Sequence, residues 1–323
     1  MPIFPSKARP ATPWAARRAD EEYGATAQPD WRETDWREYL HWLEIDGTQV
    51  NYVDVGSGEG PPVVFVHGLG GAWQNWLENI PRLAQERRVL ALDLPGFGHS
   101  EMPLREISVS GYARTVEKFC ESLDLGEVAL VGNSMGGFVA AEVAIQFPQR
   151  VERLVLVSAA GISTTNLYRR PALTWGRVAA AVGTYGAANS RAAVLRPRVR
   201  HLSLAFVARH PTRLKADLAW EQVHASGTPG FRDALEALFD YDFRHRLGEI
   251  SVPTLLVWGQ EDMLVPVEDA DEFERLIPNS RKILMADTGH VPMLERPMTF
   301  NSCLIEFLEE PRGAPRSEAE ATV

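Results

Sequence analysis

Val131-Gly132-Asn133-Ser134-Met135-Gly136-Gly137 is the stretch that decides how this chain is read. An apolar run, Val128 to Val131, enters it, and a periodic segment, Phe138 to Phe147, leaves it. A strand that turns sharply through Gly-Xaa-Ser-Xaa-Gly into a helix forces the serine outward. The backbone at the turn is strained, and the flanking glycines carry no side chain to collide with strand or helix. Ser134 is therefore expected to present its hydroxyl above a sheet edge. The free N–H groups at the start of the following helix favour negative charge developing beside it.

Outward from that turn the chain repeats one grammar. Val63 to Val66, Val89 to Leu92, Val128 to Val131, Leu154 to Val157 and Leu255 to Trp258 are short, unbroken apolar runs, the pattern of strands buried on both faces. Helical patterns over 76–85, 109–123 and 138–147 lie between most of them, which predicts βαβ units and a mostly parallel sheet with helices on both faces. Ahead of them, Leu43 to Ile45 and Val50 to Val55 flank Asp46-Gly47, the signal of an antiparallel hairpin. A helix over 269–276, a last strand over 282–285 and a closing helix over 298–308 complete the pattern. In such a sheet ligands bind at the carboxyl ends of the strands.

The alternation is interrupted once. Residues 162–249 are too many for a simple crossover and carry helical patterns of their own, such as 173–182 and 231–239, so they are read as a helical cap over the sheet edge. The core then comprises 36–161 and 250–309. Residues 1–35, rich in Pro, Ala and charge without periodicity, are expected to form a flexible arm that docks, if at all, through Trp14, Trp31 or Trp36, and 310–323 a disordered tail.

Composition narrows the function. With 323 residues and 45% hydrophobic composition, the chain can bury one large core. A net charge of -10 argues against nucleic acid as a partner, because phosphate binding needs an electropositive face. No stretch of about 18 apolar residues occurs, and Met1 to Gly24 lacks the apolar run of a signal peptide. Cys120 and Cys303 fall in amphipathic helical patterns and read as reduced packing residues, which makes the cytoplasm the default setting. No motif for a metal or nucleotide cofactor is present.

A serine hydroxyl near neutral pH needs a base within hydrogen-bond reach, and that base needs an orienting acid. Gly259-Gln260-Glu261-Asp262 follows the strand ending at Trp258, and Thr288-Gly289-His290-Val291-Pro292 follows the strand ending at Met285. Asp262 is preferred to Glu261 and Asp269 because it precedes an apolar turn that holds it inward; the alternative is a loop acid capping the next helix. His290 is the candidate base, against the plain reading of a surface loop histidine, which is the expectation for His99, His201, His210, His224 and His245. A tetrahedral oxyanion needs two fixed donors. The N–H of Met135 is one, and the turn His67-Gly68-Leu69-Gly70-Gly71 offers the N–H of Leu69 as the other. Trp73, Trp76 and Asn133 are candidates for substrate binding.

Taken together and in order, His67-Gly68-Leu69-Gly70, Asp93-Leu94-Pro95-Gly96-Phe97-Gly98-His99-Ser100, Gly132 to Gly137, Asp262 and Gly289-His290 make the chain resemble α/β-hydrolase fold proteins from about Trp42 to Leu308. The resemblance implies Ser134 as nucleophile, His290 as base and then acid, Asp262 as its orienter, and Leu69 and Met135 as oxyanion donors, with Asp93 to Ser100 a structural turn. It also prunes the family, since epoxide hydrolases and haloalkane dehalogenases of this fold carry a carboxylate where Ser134 stands. The elbow Gly132 to Gly137 is similar to that of hydrolases splitting a carbon–carbon bond in ring-cleavage products. Those usually carry tryptophan directly after the catalytic histidine, where this chain has Val291, as in many esterases and lipase-like members. Hydrolysis of esters of hydrophobic small molecules or lipids is accordingly the first expectation, and carbon–carbon hydrolysis of a dienoic keto acid the second. A ligand-binding protein on the same scaffold is the third.

One charge pattern remains. From Ile162 to Ala216 there are ten cations (Arg169, Arg170, Arg177, Arg191, Arg196, Arg198, Arg200, Arg209, Arg213 and Lys215) and no Asp or Glu, interleaved with Leu167, Tyr168, Trp175, Leu195, Leu202, Leu204 and Phe206. A basic amphipathic lid suits peripheral contact with an anionic membrane, or steers a carboxylate substrate inward. Equally, it is a solvated face paired with acids of the core.

Overall fold

The computed structural model describes residues 8–12, 14–163, 191–224, 228–311 and 321–322. The expected hairpin forms as β1 (Leu40–Ile45) and β2 (Thr48–Val55), joined antiparallel through Asp46-Gly47. β3 (Val63–Val66), β4 (Val89–Leu92), β5 (Val128–Asn133), β6 (Val151–Val157), β7 (Thr254–Gly259) and β8 (Ser280–Met285) follow. The strands lie in the order β1-β2-β4-β3-β5-β6-β7-β8, with a two-residue β9 (Ala321–Thr322) on the far edge. Every pairing from β4 onward is parallel.

The unbroken apolar runs are buried on both faces, as a doubly covered sheet requires. Val64, Leu90, Leu130 and Leu156 point into one apolar layer with Val116, Phe119, Val139 and Phe273. Val63, Phe65, Val131 and Val155 point into the other with Trp76, Phe300, Leu304 and Phe307. The helices are α1 (Ile80–Leu83), α2 (Val109–Ser122), α3 (Met135–Gln146), α4 (Arg191–Val194), α5 (Pro197–Leu204), α6 (Ala216–His224), α7 (Phe231–Asp240), α8 (Glu268–Leu276), α9 (Pro292–Glu295) and α10 (Pro297–Glu309). Among the described residues, no helix is long and apolar enough to cross a membrane.

Three expectations need correction. The helix read over 76–85 is instead a 3-10 turn at Trp73–Trp76 followed by α1. Pro81 is the reason, because its ring and missing N–H are tolerated only in the first turn of a helix, so α1 must begin at Ile80. The arm is not loose over its described part. Tyr23, Ala27 and Trp31 are buried, and Trp36 packs on the same layer, while Trp14 is 69% exposed with the Arg17 guanidinium over its ring. The tail contributes β9, whose backbone pairs with Ile283 and Leu284. The cap appears as α4 to α7; the helix expected over 173–182 lies outside the described residues. Cys120, in α2, and Cys303, in α10, are free thiols.

Candidate active site

Ser134 sits between β5 and α3 with φ 54 and ψ -115, a conformation that an L-residue holds only when its surroundings enforce it. The enforcement is steric. A Cβ on Gly132 would stand 2.2 Å from the carbonyl oxygen of Gly136, and one on Gly136 would stand 2.2 Å from that of Val66. Helix and strand therefore close on each other at a distance only glycine permits. The N–H of Ser134 donates to Val157 (2.9 Å), and its carbonyl accepts from Phe138 and Ala160, which fixes the turn on three sides.

The acid and the histidine meet as their order in the chain predicts. Asp262 is fully buried; its Oδ2 lies 2.8 Å from Nδ1 of His290, and its Oδ1 accepts from the N–H groups of Leu264 (2.8 Å) and Val265 (3.0 Å). With Nδ1–H given to the carboxylate, Nε2 of His290 is left as a base. The rejected acids have other tasks. Glu261 pairs with Arg209, and Asp269 accepts from the N–H of Ser163, burial pushing its carboxyl up to about 6. The two loops are also joined directly, by the N–H of Glu261 donating to the carbonyl of Thr288 (2.8 Å).

Asn133, a candidate for substrate contact, serves the framework. Its Nδ2 donates to the carbonyls of Val157 (3.1 Å) and His290 (3.3 Å), linking the elbow to the histidine loop across 157 residues. Trp76 is likewise part of the core, fully buried and stacked on Phe65 with centroids 4.4 Å apart. Trp73 is buried beside the glycine-rich turn and gives its backbone N–H to Asp93 (2.7 Å).

That turn is pinned from below. Buried His67 faces the carbonyl of Gly68 through Nδ1 (2.8 Å) and accepts the N–H of Leu94 on Nε2 (3.0 Å), so it is neutral, and burial holds its pKa down to about 4. Asp93 accepts from Trp73 and His99, and burial pushes its carboxyl up to about 7. His67 and Asp93 thus bind the turn 67–71 to the turn 93–100. They set Gly68 against the elbow, where a Cβ on Gly68 would lie 3.3 Å from Cβ of Ser134. Leu69 follows at this point, half-buried. Met135 opens α3, where its N–H has no acceptor within the helix.

The cap reaches the site from two sides. Gly230 donates its N–H to Gly96 (3.0 Å), and the ring of Phe231 lies 3.1 Å from where a Cβ on Gly70 would be. On the other side the N–H of His290 donates to Val207 (2.8 Å). The basic stretch is divided in its use. Arg200 is buried and donates to the carbonyls of Pro211, Val194 and Thr212, while Arg209 lies between Glu261 and Asp287. Arg191, Arg196 and Arg198 are exposed beside exposed Leu195 and Leu202. Arg169, Arg170 and Arg177 lie outside the described residues. His210, expected at the surface, is buried, with Nε2 2.8 Å from Asp287.

Sequence reading missed Glu295. It is fully buried at the end of α9, and its carboxylate accepts from the N–H groups of Gly289 (2.9 Å), Val291 (3.2 Å) and Arg209 (2.7 Å). The backbone N–H groups on both sides of His290 thus share one acceptor. Burial raises the Glu295 pKa, and these hydrogen bonds oppose the rise. Its only sequence signal is an acid at an apolar position five residues after the histidine. Among the described residues, no group of three or more His, Cys, Asp or Glu is placed to hold a metal.

A strained serine on a strand-to-helix turn, with a buried Asp-His pair on the loops after β7 and β8, defines a hydrolase built on a doubly covered parallel sheet. The chain belongs to the alpha/beta hydrolase fold family, whose model matches residues 61–297, and it is an enzyme of that kind. It is 31% identical to the 2-hydroxy-6-oxo-2,4-heptadienoate hydrolase of Pseudomonas putida over 81% of this chain and 93% of that protein. It is 31% identical to the dihydrolipoyllysine-residue acetyltransferase component of the acetoin cleaving system of Pseudomonas putida, over 83% of this chain and 68% of that protein. Among solved structures it is similar to a bacterial membrane phospholipase A, with a TM-score of 0.67 and 28% identity, covering 85% of this chain and 87% of that one.

Proposed function

We propose that the enzyme hydrolyses carboxylic esters of hydrophobic molecules through an acyl-enzyme formed on Ser134. The observation that carries this reading is the buried Asp262–His290 contact of 2.8 Å, on a loop tied by Asn133 to the turn that bears Ser134. His290 Nε2 takes the hydroxyl proton as Oγ of Ser134 attacks the ester carbonyl, and Asp262 stabilises the imidazolium that forms. The N–H groups of Leu69 and Met135 receive the oxyanion. His290 then returns the proton to the departing alcohol, and a water deprotonated by the same imidazole releases the acid and restores Ser134. The two free thiols support a cytoplasmic setting.

The second reading, hydrolysis of a carbon–carbon bond in a dienoic keto acid, is favoured by the 31% identity to the heptadienoate hydrolase. Val291 at the position after His290 favours the ester. A panel of p-nitrophenyl esters of rising acyl length, run beside a dienoic keto acid, separates the two: the ester reading requires the larger kcat/KM on an ester and fails if the keto acid is preferred. Ser134→Ala should remove turnover of either substrate with an unchanged melting temperature. Activity surviving in that variant would rule out the nucleophile itself.

A further inference from the structure

Glu295 holds the backbone of His290 from both sides, yet three N–H donors alone do not complete its surroundings. The fourth donor comes from the arm. The hydroxyl of Tyr23, 272 residues away, donates to Oε2 of Glu295, and the phenol oxygen in turn accepts the N–H of His210 (2.7 Å). Tyr23 is 1% exposed, with its ring edge-on to His210 at 5.0 Å and Arg296 above it. Burial and the charge of Glu295 raise its pKa well above the ordinary phenol value, so it remains a donor wherever the enzyme is folded. The N–H of Gly24 donates to the main-chain carbonyl of Glu295 (2.7 Å), so the arm grips side chain and backbone together.

The consequence for His290 is geometric. Its own N–H is held by Val207 of the cap, its carbonyl by Asn133 of the elbow, and the N–H groups before and after it by Glu295. The carboxylate is therefore an acceptor shared by arm, cap and histidine loop, and its orientation is fixed by Tyr23 and Arg209. A buried carboxylate that loses a donor turns toward the donors it retains.

We propose that Tyr23 is a positioning residue for His290: through Glu295, the segment ahead of β1 aligns the imidazole with Ser134 and so forms part of the catalytic apparatus. The inference rests on the serine-hydrolase reading above for its kinetic arm only. Tyr23→Phe removes one oxygen and keeps the ring in its packing.

The expected result on a p-nitrophenyl ester is a kcat lower by about tenfold with KM within about twofold, because a displaced base slows chemistry without touching the bound substrate. On a Glu295→Gln background the same change should add less than about twofold, since the two groups act as one unit. Hydrogen exchange supplies a readout that needs no turnover. In the Ser134→Ala protein, Tyr23→Phe should speed exchange of the amides at 289 and 291 by about fivefold or more and leave those of β3 and β5 unchanged. An unchanged kcat, a loss carried by KM, or full additivity with Glu295→Gln overturns the proposal. Unaltered exchange at 289 and 291 overturns it as well, and decides the matter alone should Glu295→Gln fail to fold. If the native enzyme cleaves no ester while exchange responds as stated, the ester assignment fails and the role of Tyr23 stands.

Discussion

The two sides of His290 are built by different means. On the imidazole side Asp262 is in contact from the turn after β7, and the other candidate groups, Ser134 after β5 and the turn 67–71 after β3, likewise stand on tight turns at strand tips. On the backbone side Asn133 of the elbow holds the carbonyl, while the N–H groups at 289–291 are held by the cap and by Glu295 at the end of α9, which the arm grips in turn. The first side is held by steric necessity, with Gly132 and Gly136 standing where a Cβ would come within 2.2 Å of a carbonyl oxygen. The second is held by a buried carboxylate and its donors. Steric closure has one solution, whereas a hydrogen-bonded carboxylate yields when one donor is removed, so substitutions on the two sides should fail in different ways.

The largest effects belong to the strand tips. Ser134→Ala should lower kcat by about 10⁶, and Asp262→Asn by about 10⁴ through the wrong tautomer of His290, neither with a lower melting temperature. Steady-state kinetics beside thermal melts would expose a purely structural role if the fold failed together with the activity. Gly136→Ala should act in the opposite manner. Its Cβ would collide with the main-chain oxygens of Val66 and His67 at 2.2 and 2.5 Å, neither of which can swing aside, so a loss of about 3 kcal/mol or more is expected in urea unfolding. A Gly136→Ala protein of native stability would mean that β3 and α3 can separate, and the steric account of the elbow would be lost.

The same contrast governs what could be read from the chain alone. Strands, elbow, acid and histidine were legible because each is a local pattern: a continuous apolar run, a glycine at a close approach, a polar residue just past a strand end. Trp76 shows the limit of such local patterns. An aromatic shortly after the glycine-rich turn looks like a pocket wall, and only the three-dimensional stack on Phe65 shows it to be core. Pro81 carries the signal that divides the helix expected there, although the apolar spacing runs on through it. Tyr23, Glu78 and Glu295 could not be found this way. Each is a single polar residue whose meaning is a partner far away in sequence, and a buried carboxylate leaves no periodic trace. His210 belongs with them, an ordinary loop histidine by sequence that folding buries beside Asp287.

The remaining effect concerns how firmly the arm is attached, and it can be read from pH. Glu78 is buried under the arm, where it accepts from the N–H of Ala27 (2.7 Å) and from Nε1 of Trp31 (2.9 Å). Burial pushes its carboxyl up from 4.5 to about 7, against those two hydrogen bonds. With the arm released, Glu78 meets water and returns toward its ordinary value, so the docked state binds the proton more tightly. Docking is therefore firmest below about pH 4.5 and weakens as pH climbs through about 7, a change on the order of 3 kcal/mol across that window. Hydrogen exchange of residues 25–35, corrected for the intrinsic rate at each pH, should report an opening free energy that falls between pH 5 and 8. Glu78→Gln, which cannot ionise, should flatten that slope. The histidine loop should respond less, because Tyr23 and Gly24 grip Glu295 independently of Glu78. An opening free energy that rises with pH would show that the two hydrogen bonds outweigh burial, and that the arm is fastened by the charge of Glu78 rather than in spite of it.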